Sequence, residues 1–357
     1  MRELLARAPL AEVPSPPAKD AGGLKDSAVA RLVATSRPRA LEVALQRRTL
    51  LLSGTSNRPL AASVASELGQ PLGQVEVNRF ACGEVYVRLL DSVRGSEAFV
   101  IQSHSYPVDE MLMEQLVMID ALKRASVGHL TAVIPYLGYS RQDQKSLERE
   151  PISARLVADM LTTAGADRVM VIDLHTGQIQ GFFKIPVDHL TAVPALAAHV
   201  GRRYPGDLVV VAPDAGRGKM AQRYAGQLNA SIAFMEKARS AEQHNVSRPL
   251  GLIGDVAGRR CLLIDDMIDT GGTIIDAAEA LRDAGATEIV AAATHGLFSG
   301  PALERLEASP LVEVVVTDSV RPPAKPPSKL TVVSVAPLLA SSIRAAFQDR
   351  SVSAIFK

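Results

Sequence analysis

Apolar residues in this 357-residue chain fall into short unbroken runs separated by longer stretches of helical period. The runs are TLLLS from Thr49, Ala98–Gln102 (AFVIQ), Leu130–Pro135 (LTAVIP), Arg168–Ile172 (RVMVI), Leu208–Ala212 (LVVVA), Cys261–Ile264 (CLLI), Ile289–Ala293 (IVAAA) and Val312–Val316 (VEVVV). Runs of this length without polar alternation describe strands covered on both faces. Between them, NRPLAASVASELG from Asn57, MLMEQLVMIDALKRAS from Met111 and GTIIDAAEALRDAG from Gly272 repeat apolar residues at helical spacing. The first and last of these stop at Gly, the residue that ends a helix most cheaply. Buried strands alternating with helices predict an α/β fold of mainly parallel sheets flanked by helices. The alternation runs through twice, before and after about Val193, which predicts two similar α/β domains, residues 47–192 and 193–357. The final KLTVVSVAPLLASSIRAAF reads as a strand then a helix, both able to pack back on the first domain.

Residues 1–46 break this pattern. They are rich in Ala, Pro and Arg, include Pro14-Ser-Pro-Pro17, and predict a poorly ordered extension. Apolar residues make up 47% of the chain and aromatics 4%, with no Trp, so the core must rest on aliphatic side chains. A net charge of +1 supplies no basic field and argues against nucleic-acid binding. Anionic ligands must therefore be met by local loops. No apolar run approaches the roughly 18–20 residues of a membrane span. Two distant cysteines, Cys82 and Cys261, speak against a disulfide framework and for a reducing cytoplasm.

The densest chemistry lies in Leu262–Thr273, LLIDDMIDTGGT. Asp265 and Asp266 are expected at the carboxyl end of a buried strand, where open α/β sheets bind ligands. Gly271 and Gly272 let the backbone approach an anion at a helix N-terminus, and Thr270 and Thr273 add hydroxyl donors. A Gly-rich turn with an aspartate cap would explain DTGGT alone. Three carboxylates within five residues, however, need a cation or a polyol to satisfy them. Hence the segment reads as a sugar-phosphate site with magnesium nearby.

This segment resembles the phosphoribosyl-diphosphate loop of the type I phosphoribosyltransferase fold, in the wording of ribose-phosphate diphosphokinases. The resemblance extends over nearly all of Leu50–Lys357 and implies two domains of that kind. PYLGYSRQDQKS resembles the family's ATP-binding segment, with Arg141, Gln142 and Asp143 at its nucleotide-contacting triplet. NRFACGEVYV resembles its adenine-contacting hairpin, with Phe80, Gly83 and Glu84 in place and Cys82 where an acceptor such as Asp is usual. Cysteine accepts hydrogen bonds poorly, which weakens that contact. RVMVIDLHTGQIQ puts Asp173 and His175, two apart on a strand end, beside a metal-triphosphate, and VVVAPDAGRGK puts Asp214 at a second metal contact. FMEKARSAEQ resembles the catalytic loop, keeping Lys237 and Arg239 but with Ala238 between them.

The resemblance implies transfer of the diphosphoryl group of ATP to the anomeric hydroxyl of ribose 5-phosphate, giving AMP and 5-phosphoribosyl 1-diphosphate with Mg2+ as cofactor. Asp265, Asp266, Asp269 and Thr270–Thr273, with Arg239, would hold ribose 5-phosphate. It further implies a cytoplasmic homohexamer serving nucleotide biosynthesis. The competing readings are a phosphoribosyltransferase, which would not need Arg141–Asp143, and a catalytically silent regulatory homologue, which would not need an intact DTGGT loop.

Overall fold

The structure, a computed structural model, describes residues 48–237 and 249–352. The expected N-terminal extension and Arg239 lie outside the described residues. In chain order the first half holds β1 (Thr49–Ser53), α1 (Arg58–Leu68), β2 (Val75–Arg79), β3 (Val85–Leu89) and β4 (Glu97–Ile101). It continues with α2 (Val108–Arg124), β5 (His129–Ile134), α3 (Ser153–Ala164), β6 (Arg168–Ile172) and β7 (Val187–Leu190). The second half runs α4 (Val193–Arg203), β8 (Leu208–Ala212), α5 (Gly218–Leu228), β9 (Ser231–Lys237) and β10 (Pro249–Ile253). Then come β11 (Arg260–Ile268), α6 (Gly272–Asp283), β12 (Glu288–Gly296), α7 (Ala302–Ala308), β13 (Glu313–Thr317), β14 (Leu330–Val333) and α8 (Ala336–Phe347).

Two parallel sheets result, as the continuous apolar runs require. The first has the order β1-β4-β5-β6-β7, and the second β10-β9-β8-β11-β12-β13-β14, antiparallel only where β10 meets β9. Central strands such as β4 and β8 are buried at every residue. The short edge strand β7 and the strand β10 carry no long apolar run, so the sequence pattern did not announce them; β9 does hold one, Ile232–Met235 (IAFM), as long as Cys261–Ile264, and was not predicted. A separate two-stranded ribbon pairs β2 with β3.

One apolar cluster draws on both sheets. Phe99, Val133 and Met170 from the first meet Val210, Leu262 and Val290 from the second, with α1, α4, α5 and α8 supplying Leu60, Leu196, Tyr224 and Leu339. Each such fully buried side chain stabilises the fold by roughly 1.5–3 kcal/mol relative to exposure. The last strand and helix part company. β14 extends the second sheet beside β13, whereas α8 packs against α1, with Arg344 Nη2 donating to Glu67 O at 3.0 Å.

β11 is longer than its apolar run. β8 pairs with it only as far as Leu263, but β12 pairs with it through Ile268, so Asp265 and Asp266 lie within the strand rather than after it. Past the end of β8, one edge of β11 is left to the turn that follows β8, and the site forms there.

Candidate active site

A pocket of about 230 Å³ opens at these strand ends, lined by residues 265–274 of the β11–α6 connection together with Arg141, His175, Asp214 and Arg217. Gly271 adopts φ +78°, a left-handed conformation that costs a side-chain-bearing residue about 1–2 kcal/mol, and α6 begins at the next residue. Residues 270–273 therefore turn the start of a 12-residue helix into the pocket, where free N–H groups favour an anion. Arg305 Nη1 donates to Thr270 O (3.3 Å) and Ser299 N to Asp269 O (3.1 Å), bracing the loop from behind.

Three loops from other strands converge on it. After β5, Arg141 Nη2 reaches Asp269 Oδ2 at 2.6 Å. Burial alone would raise the Asp269 pKa, but hydrogen bonds from Ser299 and Arg141 outweigh it and hold the carboxyl below its ordinary value. After β6, His175 Nδ1 lies 2.7 Å from Asp266 Oδ2. After β8, the Arg217 guanidinium sits between the aspartates, Nε 2.7 Å from Asp265 Oδ1 and Nη2 2.7 Å from Asp266 Oδ1. Its Nη1 donates to His175 O at 3.1 Å. Asp214 starts that turn, accepting from Arg217 N at 3.2 Å.

The paired aspartates divide their roles. Burial and the neighbouring Asp266 charge push the Asp265 carboxyl up. For Asp266 burial acts the same way, yet the His175 hydrogen bond and the Arg217 charge prevail and keep it ionised. Asp266 Oδ1 is buried and has no aligned hydrogen-bond partner despite its closeness to Arg217. An acidic centre with an orphaned oxygen, next to an anion loop, suits a divalent cation. Among the described residues no three His, Cys, Asp or Glu side chains form a ready metal cage. That combination fits magnesium, which keeps several waters and is held by one or two protein groups plus substrate phosphate.

Not every expected residue lines the pocket. Asp173 does not join His175 and Asp214. Its Oδ2 accepts from Ala192 N (2.9 Å) and Thr294 Oγ1 (2.6 Å), and its carbonyl lies 3.1 Å from His295 Nε2. β6 stops at Ile172, and φ +36° at Asp173 breaks the alternation that would have put its side chain and that of His175 on one face. Asp173 instead clamps the turn that delivers His175. Gln142 Oε1 accepts from Ser153 Oγ and Asp143 Oδ2 from Thr176 Oγ1, each at 2.5 Å, so only Arg141 of the triplet lines the pocket. Phe80, Cys82, Gly83 and Glu84 form the exposed tip of the β2–β3 ribbon, outside the pocket lining. There Gly83 N donates to Phe80 O, and the Phe80 ring meets Tyr86 edge-on at 5.7 Å. Lys237 is the last residue of β9. Arg217 was not foreseen. The available signal was an arginine three residues past Asp214 at the end of a buried strand, in a chain with paired aspartates to neutralise.

The fold is of the type I phosphoribosyltransferase kind, and the Gly-rich loop at its strand ends defines an enzyme that handles a phosphorylated sugar. Residues 49–165 match the family model for the N-terminal domain of ribose phosphate pyrophosphokinase, and residues 239–357 that for the phosphoribosyl synthetase-associated domain. The ribose-phosphate pyrophosphokinase of Corynebacterium glutamicum is 50% identical over 314 residues, covering 87% of this chain and 97% of that protein. That of Bifidobacterium longum is 50% identical over 321 residues, 88% and 94% of the two chains. The crystal structure of phosphoribosylpyrophosphate synthetase from Mycobacterium smegmatis superposes with a TM-score of 0.80 at 48% identity, covering 85% of this chain and 100% of that one. The chain belongs to the ribose-phosphate pyrophosphokinase family.

Proposed function

We propose that this pocket joins ATP and ribose 5-phosphate, moving the diphosphoryl group to the anomeric hydroxyl and releasing AMP and 5-phosphoribosyl 1-diphosphate. The observation that carries the reading is the convergence of an anion loop, Thr270–Thr273, with two acidic groups suited to ribose hydroxyls, Asp265 and Asp269, and with Arg141 from the other sheet. The 5-phosphate sits on the N–H groups and hydroxyls of Thr270–Thr273. Asp265 and Asp269 accept from the ribose hydroxyls. Arg141 exchanges Asp269 for the triphosphate, for which a guanidinium is a bidentate partner. Gln142, Asp143 and the ribbon tip Phe80–Glu84 complete the nucleotide contacts by resemblance.

Magnesium, held by the triphosphate with His175 and Asp214 as the protein groups within reach, would neutralise charge on the phosphates. Asp266 engages Nδ1 of His175 and so orients the ring for a ligand at Nε2. Lys237 and Arg239 supply cations where charge develops on the transferred group. No covalent intermediate is needed, because positioning two polyanions supplies the rate. The domain boundary near residues 192–193, a homohexameric assembly and a cytoplasmic setting belong to the same reading, the last supported by two free cysteines.

Incubating the pure full chain with ATP, Mg2+ and ribose 5-phosphate is expected to give AMP in step with ribose 5-phosphate consumed. ATP consumption that yields ADP, or no AMP at all, overturns the reading.

A further inference from the structure

Arg141 reaches the pocket from the loop after β5, and its side chain is 47% exposed. A long side chain that moves freely loses rotamer freedom when it binds a phosphate, so an internal group that holds it beforehand strengthens binding. Tyr136, earlier in the same loop, is placed to do so. It is 6% exposed, and its hydroxyl lies within hydrogen-bonding reach of the Arg141 guanidinium. Although the loop follows a strand of the first sheet, the Tyr136 ring packs against Met267, Leu297 and Val320 from the second half of the chain. It also meets the His295 ring at 5.0 Å and 59°, a favourable tilted pairing. His295 is itself fixed. Its Nε2 lies 3.1 Å from the Asp173 carbonyl, which only accepts, so that nitrogen carries the proton, and its Nδ1 lies 2.9 Å from Ser319 Oγ. One immobile imidazole thus seats Tyr136 and holds the turn that delivers His175. On the main chain, His104 N donates to Tyr136 O at 2.9 Å.

The chemistry of the two Arg141 partners differs. Asp269, at 2.6 Å, is a carboxylate that competes with phosphate for the guanidinium and has to give way when nucleotide binds. A phenol hydroxyl is neutral. Burial raises the Tyr136 pKa above the ordinary phenol value, against the opposing Arg141 charge, so the group stays uncharged and does not compete. We infer, on the assignment of Arg141 to the triphosphate, that Tyr136 is a positioning residue for nucleotide binding: its buried hydroxyl keeps hold of the Arg141 guanidinium while Asp269 gives way to the phosphates. Arg141 then turns about a fixed neutral contact instead of being ordered anew from solvent. Tyr136 acts on nucleotide affinity only through Arg141, and ribose 5-phosphate on the Thr270–Thr273 loop does not sense it.

The test is calorimetry of the full chain with Mg2+ and α,β-methylene-ATP, an analogue in which the bond that diphosphoryl transfer breaks is replaced. Tyr136→Phe keeps the ring and its packing on His295, so the fold is retained. It is expected to bind the analogue about five- to tenfold more weakly, the scale of one hydrogen bond to a charged donor. Its affinity for ribose 5-phosphate should be unchanged. In steady state it should raise the KM for ATP and leave kcat little changed. Arg141→Ala should weaken the analogue at least as much, and adding Tyr136→Phe to it should cost nothing further, because the two act as one unit. If Arg141→Ala weakens the analogue and Tyr136→Phe does not, the inference is overturned and the nucleotide role of Arg141 stands. Additive losses in the double variant would also overturn it, as would an equal loss of ribose 5-phosphate affinity in Tyr136→Phe, which marks a merely structural role. Wild-type analogue affinity in Arg141→Ala would refute the assignment of Arg141, and the role of Tyr136 with it.

Discussion

Replacing Thr294 with Val tests whether the Asp173 clamp holds the His175 turn. Thr294 is 1% exposed and Asp173 5% exposed, and the hydroxyl donates to Asp173 Oδ2 at 2.6 Å across the two sheets. Valine keeps the shape, so no cavity term enters; what is lost is one buried hydrogen bond to a carboxylate, about 1.5–3 kcal/mol. Thr294→Ser keeps the hydroxyl and loses one methyl group, about 1 kcal/mol with its small void. Urea denaturation of both variants should therefore place Val below Ser by about 1 kcal/mol. Adding Asp173→Asn should reveal a coupling energy above about 0.5 kcal/mol, as expected for residues in contact. Because Asp173 sits two residues before His175, Thr294→Val should also raise the KM for nucleotide more than that for ribose 5-phosphate. Equal stability of the Val and Ser variants, or additivity with Asp173→Asn, would refute the clamp.

His104 makes the fold acid-sensitive. It is fully buried, with Nε2 2.7 Å from Gln115 Oε1, and burial lowers its pKa from 6.5 to about 4 against the opposing hydrogen bond. A depressed folded-state value means the unfolded chain takes the proton first, so stability present above pH 6.5 is lost as pH falls toward 4. The gap of 2.5 (6.5 minus 4), at 1.36 kcal/mol per pH unit, is about 3 kcal/mol in full and about 2 kcal/mol between pH 7.5 and 5. The stability difference between wild type and His104→Asn should shrink by that amount over this range; a constant difference would refute it. Gly271→Ala places a side chain at φ +78° with its Cβ in ordinary contact with Ile275 Cδ1 at 3.4 Å. The strain is about 1–2 kcal/mol, and calorimetry should show weakened ribose 5-phosphate binding with ATP binding little changed. Lys237→Ala should cut turnover by orders of magnitude while ribose 5-phosphate binding stays largely intact, and equal loss of both would make the loop structural.

Local pattern determined much of this protein. Unbroken apolar runs at Leu208–Ala212 and Cys261–Ile264 specify doubly covered parallel strands, because a side chain's burial on both faces is written in consecutive residues. The DTGGT loop was legible for the same reason: Gly271, the helix start and the hydroxyls are neighbours in sequence. β10 was not legible, because its pairing, and not its composition, makes it a strand; β9, with the apolar run Ile232–Met235, was legible and went unpredicted. Only the tertiary structure decided that β11 runs on past β8 to carry Asp265 and Asp266, and that Asp173 turns away from the pocket it was expected to line. Arg217 shows the limit most clearly. Its neighbours in sequence say nothing of its partners, which lie on another strand, while His175 reaches Asp266 across 91 residues and Arg141 reaches Asp269 across 128. Charge compensation acts through space at about 3 Å, and sequence separation carries no record of it.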